Sequence, residues 1–241
     1  MTLPALLDAR GRRAVIVGAA GGIGRACVAL FAAAGATVVA ADLATAAPPP
    51  GAEFVACDAS DEAQVASLFA VLDGPVDFVV ALQGIVGAGA LHETALADWR
   101  RVIDANLTSA FLVARAAHAR LRRPGGALVL MGSSNGRNGG TKLSGAAYAA
   151  SKAGVQNLAR YVAREWAPEG LRVNCLAPGP VDTPMLDRFD AATRAAVVDA
   201  VPLGGAAAPA EIAAAIAFLC SDAARGMTGA TINVSGGLVL D

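Results

Sequence analysis

Short apolar runs without polar alternation recur along this chain, separated by stretches of helical periodicity. Arg13–Val17, Thr37–Ala41, Glu53–Cys57, Asp77–Leu82, Ala127–Met131, Leu171–Leu176 and Thr231–Val234 read as strands. Runs of this kind suit a parallel sheet covered on both faces. Between them lie helical stretches from the glycines after Val17 to about Ala34, Glu62–Leu72, Asp98–Leu121, the alanine-rich run around Tyr148, and Pro209–Ser221. Gly35 stops the first of these. The alternation predicts a doubly wound α/β fold with right-handed crossovers, three layers deep, as one domain over 1–241. Residues 44–51, with Pro48-Pro49-Pro50, read as a surface connection. Residues 184–205 interrupt the alternation, are partly helical, and read as a lid on the substrate side.

Composition narrows the class. The 241 residues are 55% hydrophobic and 16% charged, which supports a substantial core. A net charge of −1 gives no electrostatic case for nucleic acid or an anionic membrane. No run approaches the roughly 18 apolar residues of a spanning helix, and the N-terminus lacks a signal-peptide pattern, so the expectation is a cytoplasmic protein. Cys27, Cys57, Cys175 and Cys220 each sit in apolar sequence and read as buried free thiols. With His92 and His118 as the only histidines, no metal-ligand spacing appears and no metal is expected.

Gly18-Ala19-Ala20-Gly21-Gly22-Ile23-Gly24 falls between a strand and a helix. Glycines in that context let backbone N–H groups approach a pyrophosphate at the positive helix end. Asp42, eighteen residues past Gly24, ends the second strand, where a carboxylate can accept both ribose hydroxyls and repel a 2′-phosphate. With no Arg or Lys in the glycine turn before Gly22 or directly after Asp42, the expected cofactor is NAD rather than NADP. Asp58 ends the third strand and is read either as meeting the adenine edge or as capping the next helix.

Tyr148 and Lys152 stand four apart in Ala147-Tyr148-Ala149-Ala150-Ser151-Lys152, on one face of a helix. A cation fixed beside a phenol lowers its pKa and makes it a candidate general acid–base.

In order and spacing, the glycine turn, Asn106, Ser133-Ser134, the Tyr148–Lys152 pair, Asn174-Cys175-Leu176-Ala177-Pro178-Gly179-Pro180-Val181-Asp182-Thr183 and Ile232-Asn233-Val234-Ser235-Gly236-Gly237 resemble the short-chain dehydrogenase/reductase family over nearly the whole chain. The resemblance implies a seven-stranded Rossmann-type sheet, an assembly of homotetramer or homodimer type, and a small-molecule alcohol or ketone substrate. It implies that Tyr148 exchanges a proton with the substrate oxygen, Lys152 lowers the tyrosine pKa and holds the nicotinamide ribose, and Ser134 bonds the substrate oxygen. Asn106 would anchor a water leading from Lys152 to solvent. Gly18, Gly22, Ile23, Gly24, Asp42, Leu43, Asp58, Ala59, Gln83, Gly84, Pro178 and Gly179 would line the cofactor, with Val181 and Thr183 holding its carboxamide.

Three departures stand out. Val17 replaces the threonine usual before the first glycine. The segment usually reading Asn-Asn-Ala-Gly is Ala81-Leu82-Gln83-Gly84. The loop from Ser134 to Tyr148 is one residue longer than usual, which leaves Ser133 open as the catalytic hydroxyl. Thr183 could instead cap a helix beginning near Pro184.

The leading expectation is an NAD-dependent secondary-alcohol dehydrogenase. A 3-oxoacyl-thioester reductase, a family member that generally uses NADPH, is the nearest rival, and a non-catalytic nucleotide sensor a second. A halohydrin-dehalogenase-type lyase is disfavoured by the intact Lys152 and glycine turn. The pocket would draw on 85–91, 135–144 and 184–201, offering Val86, Leu91, Leu143, Met185, Leu186 and Phe189. Arg137, Lys142 and Arg188 could meet an acidic substrate but read more simply as solvated charges, so a neutral or modestly polar alcohol is expected.

Overall fold

The computed structural model describes residues 8–240. Residues 1–7, on which the reading of no signal-peptide pattern partly rests, and Asp241 lie outside it. Seven parallel strands form one sheet in the order β3-β2-β1-β4-β5-β6-β7. They are β1 (Arg13–Val17), β2 (Thr37–Asp42), β3 (Glu53–Ala56), β4 (Phe78–Ala81), β5 (Ala127–Met131), β6 (Arg172–Pro178) and β7 (Thr231–Val234). The helices are α1 (Gly22–Ala33), α2 (Glu62–Ala70), α3 (Leu96–Ile103), α4 (Ser109–His118), α5 (Asn135–Asn138), α6 (Ala146–Trp166), α7 (Ala191–Asp199) and α8 (Pro209–Cys220).

Alternate residues of each strand feed opposite layers. Val15, Val17, Val39, Leu128 and Leu130 pack with α2, α4 and α6 residues such as Leu68, Val113 and Val155. Ala14, Ile16, Val38, Ala40 and Val129 pack with Val28 and Phe31 of α1 and Ile212 and Ile216 of α8. A strand covered on both sides needs no polar face, which is why its sequence does not alternate. The four cysteines lie within these cores as free thiols. Among the described residues, no helix is long and apolar enough to cross a membrane.

Strand order reverses between β1, which leads to β2, and β4, which leads to β5. At such a switch point the loops leave the carboxyl ends in opposite directions and open a crevice. The glycine turn after β1, Gln83-Gly84 after β4, Ser133 after β5 and Gly179–Thr183 after β6 all lie at that end.

The stretch expected as one helix over 98–121 is broken. A π-helical turn, Asp104–Thr108, joins α3 to α4 and carries Asn106. Thr183 caps no helix: its hydroxyl donates to Val181 O (3.3 Å), and the helix of the lid segment, α7, is capped by Asp190 accepting from Thr193 N. Asp58 does not cap α2 either. Asp61 does, accepting from Ala63 N and Gln64 N, while Asp58 accepts from Ser60 N and Oγ.

Candidate active site

Gly18 has φ +79°, and a Cβ there would lie 2.7 Å from Gln83 N. At Gly24 a Cβ would lie 2.2 Å from Gly18 O, so α1 closes on β1 only without a side chain. The residue entering α1, Gly21, offers no side-chain cap, and the first-turn N–H groups face the crevice without one. That end of α1 carries partial positive charge suited to a phosphate. A Cβ on Gly22 would meet Thr183 Cγ2 at 2.6 Å, which brings the segment after β6 across the turn. Asp42 accepts from Ala20 N and Leu43 N, both at 2.8 Å. Its carboxylate is thereby held against the turn, where the ribose of a dinucleotide would pass. Leu43 is exposed, Ile23 half-buried and Ala59 buried at the same end. A glycine cradle, an uncapped helix end and a strand-end carboxylate fit a dinucleotide cofactor.

The second cluster lies across the crevice. Lys152 is buried and its Nζ donates to Met131 O at 2.9 Å. Burial lowers its pKa to about 8. Asn106, 1% exposed, accepts from Ile85 N (2.7 Å) and donates to Ile85 O and Ser151 Oγ (2.9 Å each). Ser151 in turn donates to Tyr148 O at 2.7 Å. Gly84 threads between these groups: a Cβ would lie 2.6 Å from Asn106 Oδ1 and 3.3 Å from Lys152 Nζ.

Two expectations need correction. The phenol of Tyr148 is raised, not lowered, because burial dominates; a hydrogen bond with Ser133 and the charge of Arg188 act in the opposite direction. Lys152 does not offset the burial because its ammonium is turned to Met131 O and lies 5.8 Å from the tyrosine ring centroid. The hydroxyl that meets Tyr148 is that of Ser133 rather than Ser134. Gln156 Nε2 holds Ser133 O (2.7 Å), whereas Ser134 N is pinned to Pro178 O (2.9 Å) at the start of α5.

The other expected residues fall in the same crevice. Gly179 N donates to Val234 O, and a Cβ on Gly179 would meet Ser235 Cα at 2.9 Å, so Pro178-Gly179 is clamped between β6 and β7. Val181 bridges to Ala207. Gln83 Nε2 donates to Ser109 Oγ (3.2 Å), and Ser109 Oγ donates to Ala105 O (2.7 Å), which ties β4 to the π turn. Ser151 and Gln156 are site residues the sequence reading passed over. Their signal was helical spacing, since Gln156 follows Tyr148 and Lys152 on one face.

A family model described as enoyl-(acyl carrier protein) reductase matches residues 18–239. The cis-4-hydroxycyclohexanecarboxylate dehydrogenase of Sinomonas cyclohexanicum is 41% identical, covering 94% of this chain and 96% of that protein. The 3-oxoacyl-(acyl-carrier-protein) reductase FabG of Escherichia coli K12 is 33% identical, covering 97% and 100%. The crystal structure of a short-chain dehydrogenase/reductase from Brucella melitensis superposes with a TM-score of 0.89 at 34% identity, covering 97% and 99%. The chain belongs to the short-chain dehydrogenase/reductase family and is an oxidoreductase acting on CH–OH groups with a nicotinamide cofactor.

Proposed function

We propose that this protein is an NAD-dependent dehydrogenase that interconverts a secondary alcohol and its ketone. The observation that carries the reading is the gathering of Tyr148, Ser133, Lys152 and Asn106 across one crevice from the glycine turn and Asp42.

The bound nicotinamide would supply a two-electron hydride acceptor or donor. The chain supplies geometry and proton handling. First-turn amides of α1 hold the pyrophosphate, Asp42 the adenosine ribose, Lys152 the nicotinamide ribose, and Val181 with Thr183 the carboxamide. Asp58 and Ala59 lie toward the adenine, and Gly84 lets the backbone pass close. In the oxidation direction Tyr148 would take the hydroxyl proton of the alcohol, for which its phenol, held protonated by burial in the free enzyme, must first give up its own. Ser133 donates to the substrate oxygen and stabilises its charge as it develops. Asn106 holds the backbone at Ile85, keeping a path open from Lys152 for the proton to reach solvent. Residues 184–205 act as the lid. A homotetramer or homodimer in the cytoplasm, with no nucleic-acid or membrane partner, completes the proposal.

An NAD-reduction screen over alicyclic, aromatic, steroid, sugar and hydroxyacyl alcohols tests it, with alicyclic alcohols first because the Sinomonas relative is named for one. Tyr148→Phe should lower turnover by about 10²–10⁴-fold while NADH still binds. Unchanged turnover would remove Tyr148 from the mechanism. The second reading, reduction of a 3-oxoacyl thioester, is favoured by the E. coli relative. Initial rates on acetoacetyl thioesters with NADH and NADPH separate the two.

A further inference from the structure

We infer that Arg188 is the anion-binding end of the substrate pocket, so that the alcohol oxidised here carries a carboxylate across a short apolar frame. The inference rests on the dehydrogenase reading above and adds the substrate's second functional group. It replaces the neutral alcohol expected from sequence.

Arg188 joins all three pocket segments. It rises from the lid, its Nη1 donating to Gly87 O (3.1 Å) and its Nη2 to Leu143 O (2.6 Å). Its guanidinium stacks on Phe189, with Cζ 4.4 Å from the ring centroid. Backbone carbonyls orient the head without neutralising it. Among the described residues no carboxylate pairs with Arg188, although two lie close in sequence: Asp182 and Asp187 both turn to Arg194, at 2.6 and 3.9 Å.

The charge is therefore fixed and unbalanced, and near enough to the reacting end to act on the Tyr148 phenol. Of the five N–H donors of a guanidinium, two are used. Three remain, and two on one edge of the guanidinium can pair with the two oxygens of a carboxylate. Arg188 is exposed, yet two backbone carbonyls hold its head in place within reach of the Tyr148 phenol. One guanidinium balances one negative charge, which favours a carboxylate over a phosphate dianion.

The test titrates cyclohexanecarboxylate, cyclohexanecarboxamide and inorganic phosphate into the enzyme–NADH complex by calorimetry, for wild type, Arg188→Lys and Arg188→Met. Wild type should bind the carboxylate at least tenfold tighter than the carboxamide. Arg188→Met should lose that preference and Arg188→Lys keep part of it. The ratio of kcat/KM for a cyclic hydroxy acid to that for its methyl ester should fall at least tenfold in Arg188→Met. A merely bracing role for Arg188 would weaken acid and amide alike. Equal wild-type affinity for acid and amide, tighter binding of phosphate, or a preference surviving in Arg188→Met overturns the inference. If NADH itself fails to bind, the dehydrogenase reading falls, and the same titration on the free enzyme still decides the role of Arg188.

Discussion

Replacing Lys152 by Met tests whether the dyad sits in a dry pocket. Lys152 is 4% exposed, and burial takes its pKa from an ordinary 10.5 to about 8. A base whose pKa falls on folding binds its proton less tightly when folded. Between about 8 and 10.5 the unfolded chain therefore holds more proton, and stability rises with pH. Below about 8 the penalty is fully present; above 10.5 it is gone. The gap corresponds to roughly 3 kcal/mol, most of which is recovered between pH 7 and pH 10. Met fills a similar volume without a charge, so Lys152→Met should be flat where wild type rises. Urea unfolding of both proteins at pH 7 and pH 10 gives the comparison, with other titrating groups cancelling in the difference. Wild type should gain about 2–3 kcal/mol relative to the variant. Parallel profiles, within about 0.5 kcal/mol, would mean that water reaches the ammonium freely. The account of a desolvated Lys152 would then be wrong.

Gly24→Ala places a methyl 2.2 Å from Gly18 O, a backbone atom that cannot swing aside. It should cost about 1–3 kcal/mol in urea unfolding and weaken NADH binding by more than tenfold in a fluorescence titration. Ser133→Ala should lower kcat by about 10²–10³-fold as a lost oxyanion donor, whereas Ser134→Ala should cost under tenfold. The reverse order in steady-state assays would return the role to Ser134. Asp42→Ala should raise KM for NAD and narrow its advantage over NADP. An unaltered cofactor ratio would show that Asp42 serves only its bonds to Ala20 and Leu43.

The sheet was legible because strands buried on both faces leave continuous apolar runs. All seven strand segments were placed to within two residues at each end. The glycine turn was legible because its requirement is steric: Gly18 and Gly24 have backbone where a Cβ would go. What escaped was set by tertiary contacts. Nothing in 98–121 signals a break, yet the helix widens at Asp104–Thr108, where Asn106 bonds both backbone groups of Ile85. Such π turns are frequent at functional sites. Ser133 and Ser134 are chemically identical neighbours. Only the fold shows that it is the Ser133 side chain that hydrogen-bonds Tyr148. The same holds for Asp58 and Asp61, either of which satisfies a capping pattern in sequence. Helical spacing predicted that Tyr148 and Lys152 share a face. It could not weigh their interaction against burial, and burial wins for both.

The altered Ala81-Leu82-Gln83-Gly84 segment was the strongest sequence argument for a protein that binds nucleotide without turning it over. In the fold, the change falls on the parts that brace the sheet and spares the part that touches the dyad. Ala81 is a core residue between β1 and β5 and carries no polar group to satisfy. Gln83 supplies a new bond to Ser109, linking β4 to the helix that carries Asn106. Gly84 is retained, and its place is the one where a side chain would strike Asn106 Oδ1 and crowd Lys152 Nζ. A chain released from catalysis has no need to keep that one position bare while its neighbours change. The pattern of loss and retention therefore argues for an enzyme whose bracing has been rebuilt around an intact proton-transfer site.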